Sequence, residues 1–268
     1  MTATKADKAA YNDAIKVPKE NIAVLIKETK DIALKKKKMA NIQGYLNLEL
    51  AMKHIHLITL YLNMSDASIE ILKVRNSMFL ENARKEFYKV VQYIEEVVGS
   101  DIDRSLSENK DYLVKINRIT IRQTLEICKK LLFVNETLVE KMGENSKWKW
   151  SFVDLHVRVA NVIKNMINFS EIEQYRNFNS EFFQDREDLL KLCKKTLEDA
   201  AKQARNKYEL STQAPEDIKK AADLLTGLRS LQVLYGETEE AAKTKNVIDA
   251  LKARVEEEEK KNKNKKKN

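Results

Sequence analysis

Glycine and proline are scarce along this chain, and their scarcity constrains the fold more than any other sequence feature. The 268 residues include five glycines and two prolines, whereas this pair makes up about 12% of an average protein. Hairpin turns and the loops of α/β folds depend on these two residues. The sequence therefore argues strongly against a sandwich, a barrel or a doubly wound sheet and predicts an all-α protein.

Apolar residues recur at helical spacing between the few turn signals. Gly99 and Gly143 each follow a long amphipathic stretch, where the end of a helix favours glycine, and Gly236 stands at the turn of a C-terminal pair of helices. We expect an elongated antiparallel bundle of long helices, with a C-terminal helical hairpin and a disordered basic tail.

Turn residues and composition divide the predicted fold into four segments. A boundary is expected at Pro18, because proline disfavours helix at the preceding residue, and Ser211–Pro215 is the clearest linker. Further breaks are expected at Gly44 and Asn63–Asp66. The four segments are an N-terminal arm or short helix (1–17), a helical bundle (18–210), a helical hairpin (215–259) and a disordered lysine-rich tail (260–268).

Three short stretches alternate apolar and polar residues in the manner of a β-strand. They are Ile55–Leu62, Val114–Arg122 and Val153–Val159. Their flanks carry no turn signals, and an isolated short strand would lack a partner. A helix that is buried on two sides gives the same pattern, so we interpret these stretches as helices in the centre of the bundle.

The formal net charge of +8 comes from two short segments. Without the six lysines after Glu259 the chain would carry +2, and without Lys35–Lys38 as well it would carry −2. A basic chain can bind phosphates electrostatically, so contact with nucleic acid through these lysines is the alternative function. The basic candidates are Lys35, Lys36, Lys37, Lys38, Lys260, Lys261, Lys263, Lys265, Lys266 and Lys267.

No motif indicates catalysis, a cofactor or a metal. Five scattered glycines cannot form a phosphate-binding loop. None of His54, His56 and His156 stands three residues after a glutamate, as a di-iron bundle requires. The two cysteines lie inside apolar helical patterns, which is typical of buried thiols. We therefore expect a protein that is not an enzyme, with no cofactor and no metal site.

Aromatic residues concentrate between residues 148 and 183. Two tryptophans stand two residues apart at the expected start of a helix, so both cannot face the core of that helix. Tryptophan and other aromatic residues are enriched at protein interfaces, although packing in the core and at helix ends is the commoner reason for such a cluster. The partner-binding candidates are Trp148, Trp150, Phe178, Phe182 and Phe183.

These features together predict an interaction or scaffold protein that presents helix surfaces to another protein or to a second copy of itself. The N-terminus lacks the pattern of a signal peptide. The longest uncharged apolar run, near Leu57–Met64, is far shorter than the ~20 residues of a membrane span. We expect a cytoplasmic protein without a transmembrane segment.

Overall fold

The computed structural model describes residues 4–265, with side chains described to Lys260, and every regular element in this range is helical. The all-α prediction is confirmed. The α-helices are α1 (Lys5–Lys38), α2 (Gln43–Leu72), α3 (Ser77–Val98), α4 (Asn109–Leu113), α5 (Ile121–Met142), α6 (Lys149–Asn165), α7 (Phe169–Gln174), α8 (Phe183–Lys207), α9 (Pro215–Leu234) and α10 (Thr238–Lys265).

The helices fall into two compact units. Unit 1 contains the chain up to Val97 together with Leu132–Trp148, and unit 2 contains Val98–Leu131 and the chain from Lys149 onward. The hairpin α9–α10 belongs to unit 2, where α9 packs against α8 as well as α10. Its independence as a separate domain stays a prediction.

In unit 1, α1 and α2 pack along each other. Because of this packing, α1 continues through Pro18, where a break was expected. Pro18 lies inside α1, although proline costs a helix one hydrogen bond. Ile15 and Ile22, on either side of it, are both buried in one apolar cluster, so the helix is held on both sides of the proline. The remaining members of this cluster are Leu25, Leu57, Leu60, Met64 and Phe79.

Two further breaks in unit 1 differ from expectation. The chain turns at Ala40–Ile42, just before Gly44, which lies in the first turn of α2. Asn63–Asp66 lies inside α2, because burial of Met64 and Ser65 outweighs the capping preference of this segment. The helix ends at Leu72, followed by Lys73 in the left-handed conformation.

In unit 2, α6 is buried almost all round, which explains the strand-like alternation in its sequence. From Phe152 to Asn165 only Asp154 and Arg158 are not buried. Val153–Val159 is therefore a central helix, as predicted, and Ile55–Leu62 is likewise part of α2. Val114–Arg122 instead forms a 3-10 turn, a short loop and the first residues of α5.

Three polar side chains of α6 hold the loop that follows α3. Their side-chain nitrogens donate hydrogen bonds to backbone carbonyls of residues 99–104, so these buried polar groups of α6 have partners. Burial lowers the pKa of Lys164 to about 8. The bonds run from Asn161 to Ser100 (2.8 Å), from Lys164 to Ile102 (2.6 Å) and Arg104 (3.2 Å), and from Asn165 to Gly99 (3.1 Å) and Asp101 (3.3 Å).

The last helix is longer than its sequence suggested. α10 continues to Lys265, and residues 266–268 lie outside the described residues. Glu256 and Lys260 stand four residues apart, a spacing that supports helix across the boundary expected at Glu259.

Gly99 and Gly143, which directly follow α3 and α5, form a matched pair that tests the close packing of Gly99 against Arg104. Both have positive φ, so alanine costs about 1–2 kcal/mol at either position. A Cβ at Gly99 would also lie 1.9 Å from Nη2 of buried Arg104, whereas nothing lies within 4 Å of one at Gly143. We expect Gly99→Ala to lower the free energy of unfolding by clearly more than Gly143→Ala, as measured by urea denaturation. Equal losses would show that the Arg104 contact is unimportant.

Candidate interaction surface

An open groove runs along unit 2 between α8 and α10, with α9 as its floor. Two adjoining stretches of this groove, with volumes of about 430 and 500 Å³, share Arg205, Val247 and Leu251. We call the whole feature the α8–α10 groove. Its floor and lower walls are apolar and consist of Ala201, Ile218, Leu225, Leu228, Val247, Ala250 and Leu251.

Each of the three helices presents residues to the groove at helical spacing. α8 contributes positions 198, 201, 202 and 205, the turn that follows it contributes 208 and 209, and α9 contributes 218, 225, 228 and 232. α10 contributes chiefly 240, 243, 244, 247, 251 and 254. Residues that are three, four or seven apart share one face of a helix. The groove is therefore lined by three parallel stripes rather than by the convergent side chains of a small-molecule pocket.

An ion-pair network joins α9, the floor of the groove, to α8 and α6. The Lys207 ammonium lies 2.8 Å from both carboxylate oxygens of Asp154 and 3.3 Å from Asp217. These residues belong to α8, α6 and α9, so the network joins three helices at the point where α8 gives way to α9. A single π-helical turn, Tyr208–Thr212, makes this connection and places Tyr208 against the groove.

Hydrogen bonding decides the charge state of this network. Burial alone would raise the pKa of the Asp217 carboxyl, but the hydrogen bond from Thr212 (2.6 Å) and the charge of Lys207 outweigh it and hold that pKa below its usual value. Burial likewise opposes the charge on Lys207, but its hydrogen bonds to Asp154 and Asp217 raise the Lys207 pKa. Both groups are therefore charged at neutral pH.

Charged side chains form the rim of the groove. Lys202 on α8 and Lys243 on α10 are exposed on opposite walls of one stretch, which Glu198 and Glu240 also line. Arg254, on the wall of the other stretch, donates a 3.3 Å hydrogen bond to the phenol oxygen of Tyr208. An apolar floor with a charged rim is the arrangement of a protein–protein interface.

None of the aromatic candidates from the sequence is among the residues that line this groove. Trp148 is half-buried in unit 1, with the Arg84 guanidinium carbon 3.7 Å from its ring centroid, and Trp150 is half-buried in α6 of unit 2. Phe182 and Phe183 are half-buried at the start of α8, and Phe182 lies under Arg122. Phe178 is 75% exposed. Their roles in binding a partner stay predictions.

The basic segments have local structural roles. Lys35–Lys38 forms the last turn of α1, where positive charge complements the helix dipole. Lys36 pairs with Glu96 and lies over the Tyr93 ring. Lys260 is exposed on α10. Lys261, Lys263 and Lys265 belong to the last turns of that helix, and Lys266 and Lys267 lie outside the described residues. Contact with nucleic acid through these lysines stays a prediction.

The histidines occupy ordinary positions in helices. His54 is buried in unit 1, where its Nδ1 lies 2.5 Å from a carboxylate oxygen of Glu86, and His56 is exposed. Burial alone would raise the pKa of Glu86, but hydrogen bonds from His54 and Lys89 outweigh burial and hold that pKa below its usual value. Burial also lowers the pKa of His156.

No group of three or more His, Cys, Asp or Glu side chains within residues 4–265 could hold a metal ion. In the same part of the chain, none of the helices is both long and apolar enough to span a bilayer.

Comparison with known proteins places the chain in a family. A family model matches residues 7–259. The chain belongs to the TP0443 family. No curated protein matches it. Among solved structures, it is similar to a chain from "Computational Design of Self-Assembling Cyclic Protein Homooligomers", at 11% identity over 94% of this chain and 96% of that chain. The TM-score is 0.31.

Sequence reasoning missed the α8–α10 groove, because the residues of α10 that line it do not form an apolar stripe. In α10, residues 241, 244, 248, 251 and 255 follow the heptad spacing of a seam against α9. A second set on an adjacent face, residues 240, 243, 247, 251 and 254, includes three charged residues. The structure supplies α9 for one stripe and leaves the other on the groove.

The Lys207–Asp217 contact yields a prediction about pH. Asp217→Asn removes one partner of a buried lysine that keeps Asp154, so we expect it to lower the free energy of unfolding by about 1–3 kcal/mol at neutral pH. Because the pKa of Asp217 is lowered by folding, its contribution is present above the usual carboxyl pKa and is lost as pH falls through the folded value.

The variant and the natural protein should therefore differ less in urea denaturation at about pH 3 than at about pH 7. Glu216→Gln removes the neighbouring charge, which is exposed, and serves as the control. A stability difference that does not change with pH would contradict this assignment.

Proposed function

We propose that this protein is a helical interaction protein, without catalytic activity, that binds an amphipathic helix of a protein partner along the α8–α10 groove. The observation that carries this proposal is the set of three helical stripes around one apolar floor. Three helices arranged in this way leave the place of a fourth helix open, as in a four-helix bundle that lacks one member. Helix-in-groove binding uses this geometry.

The length of the groove sets the length of its ligand. The α10 stripe runs from Glu240 to Arg254. At 1.5 Å per residue these positions are about 21 Å apart, which corresponds to roughly four turns. A docked helix would therefore present apolar residues at i, i+3 or i+4, and i+7.

We expect the floor and the rim of the groove to contribute differently to the free energy of binding. Three apolar anchors would contribute roughly 5–9 kcal/mol if each becomes fully buried. Loss of translational and rotational freedom opposes binding by a comparable amount, about 4–15 kcal/mol. The apolar floor alone therefore gives weak binding, and complementary charges along the rim decide which helix binds and in which direction.

Site-specific photocrosslinking in living cells tests the proposal. A benzophenone amino acid in place of Val247, which is 42% exposed on the groove wall, should give one discrete adduct. Mass spectrometry should map the crosslinked peptide to an amphipathic helix with apolar residues at the spacing given above. The same probe in place of Lys245, an exposed residue on the opposite face of α10, should not give that adduct.

Identical adducts at both positions, or none at Val247, would contradict binding in the groove. Val247→Arg provides a second readout, because it places a charge over the apolar floor. With the photoprobe moved to Lys243, on the same wall, this substitution should abolish the adduct while the helical content by circular dichroism stays unchanged.

A further inference from the structure

We propose that the helix bound along the α8–α10 groove is α10 of a second copy of this chain, packed antiparallel against α10 with Val247 on the two-fold axis. This inference rests on the proposed function, since it names the occupant of the same groove. The occupant is a partner of known sequence, and every residue on the contacting face can be stated.

The groove stripe of α10 is complementary to itself in this register. Across a two-fold axis through Val247, the residue that lies n positions before it faces the residue n positions after it in the other copy. Glu240 stands seven positions before Val247 and Arg254 seven positions after it. Each interface therefore contains two Glu240–Arg254 ion pairs, one at each end.

The residues at the centre of the α10 stripe allow two copies of the helix to approach each other closely. Thr244 faces Ala250 of the second copy, and Val247 faces its own equivalent, so only small or β-branched side chains meet near the axis. Lys243 faces Leu251, over which its methylene stem can pack while the ammonium stays in water. All of these residues line the groove, so the contact uses surface that the fold leaves open.

The charges at the two ends are available for pairing. Glu240 is exposed and forms no ion pair within the part of the chain that the structure describes. Arg254 contacts Tyr208, Glu257 and Glu258, each at 3.3 Å. A guanidinium has five N–H donors, so a further carboxylate can be accommodated.

The parallel register is disfavoured by the same residues. With both α10 helices running in one direction about Val247, Glu240 would face Glu240 and Arg254 would face Arg254. Like charges directly opposite each other oppose binding, so the pattern specifies orientation as well as partner.

The burial of α10 supports a second neighbour. This helix has 28 residues, yet within its described side chains only Ala241, Ile248 and Leu251 are buried apolar residues. Helices in water depend mainly on packing for their stability. A second α10 would cover Val247 and Ala250, the apolar groove residues of α10 that the fold leaves exposed.

Disulfide trapping tests the position of the axis. Val247→Cys should give a covalent dimer under mild oxidation, because the two thiols would meet at the two-fold axis. Ala253→Cys, exposed on another face of α10, should stay mainly monomeric. Cys128 and Cys193 are both buried, so they should not form the crosslink. Equal crosslinking of the two variants would overturn the register.

Charge reversal tests the pairing itself. By sedimentation equilibrium, Glu240→Arg and Arg254→Glu should each weaken the dimer at least about tenfold, because each puts two like-charge contacts in place of two attractive ones. The double variant restores opposite charges and should recover the affinity of the natural chain to within a few-fold. A double variant weaker than either single one would overturn the proposal, as would a natural chain that stays monomeric up to millimolar concentration.

The oligomeric state and the photocrosslinking result together distinguish a failure of this inference from a failure of the proposed function. If the natural chain is monomeric and the Val247 photoprobe captures a helix from a different protein, binding in the groove stands and the second copy is excluded. If the chain is monomeric and the photoprobe captures nothing, both proposals fail.

Discussion

The burial of α6 on almost all sides is the constraint on which unit 2 depends. This helix carries two asparagines and a lysine on one face, and burial of such groups without partners would be strongly unfavourable. Backbone carbonyls of residues 99–104 meet this need, and the loop gains its own hydrogen-bond donors from the same contacts. Without these contacts the polar side chains of α6 would be buried without hydrogen-bond partners.

The position of α6 determines where the binding groove lies. α8 and α9 both pack on α6, and the Lys207–Asp154–Asp217 network ties the three helices at one end. α10 packs mainly on α9. Because α9 lies between α8 and α10, its apolar residues Ile218, Leu225 and Leu228 form the floor of the α8–α10 groove.

Local signals in the sequence were sufficient to predict the helical class and several helix ends. The scarcity of glycine and proline predicted an all-α fold, and Gly99, Gly143 and Gly236 all have the positive φ that their positions suggested. Pro18 was misleading, because packing of Ile15 and Ile22 against α2 outweighs its local cost. Asn63–Asp66 misled for the same reason, since tertiary burial holds α2 together beyond its capping residues.

The candidate surface was harder to foresee, because it depends on which helices become neighbours. Aromatic content pointed to Trp148 and Trp150, but each is half-buried within its own unit. The groove instead consists of alanine, aliphatic and charged side chains that are common on any helix. Leu251 lies in both stripes of α10, so its position alone could not reveal that one stripe faces the open groove.

The account depends most directly on the groove being open, and the separation of α8 and α10 measures this. Spin labels at Gln203 and Ala242, which are exposed on the two helices outside the groove, report that separation by pulsed electron resonance. After correction for the label linkers, the account predicts an interaxial distance well above the 8–10 Å of directly packed helices. A distance of about 8–10 Å would show that α10 closes onto α8 and would contradict the groove.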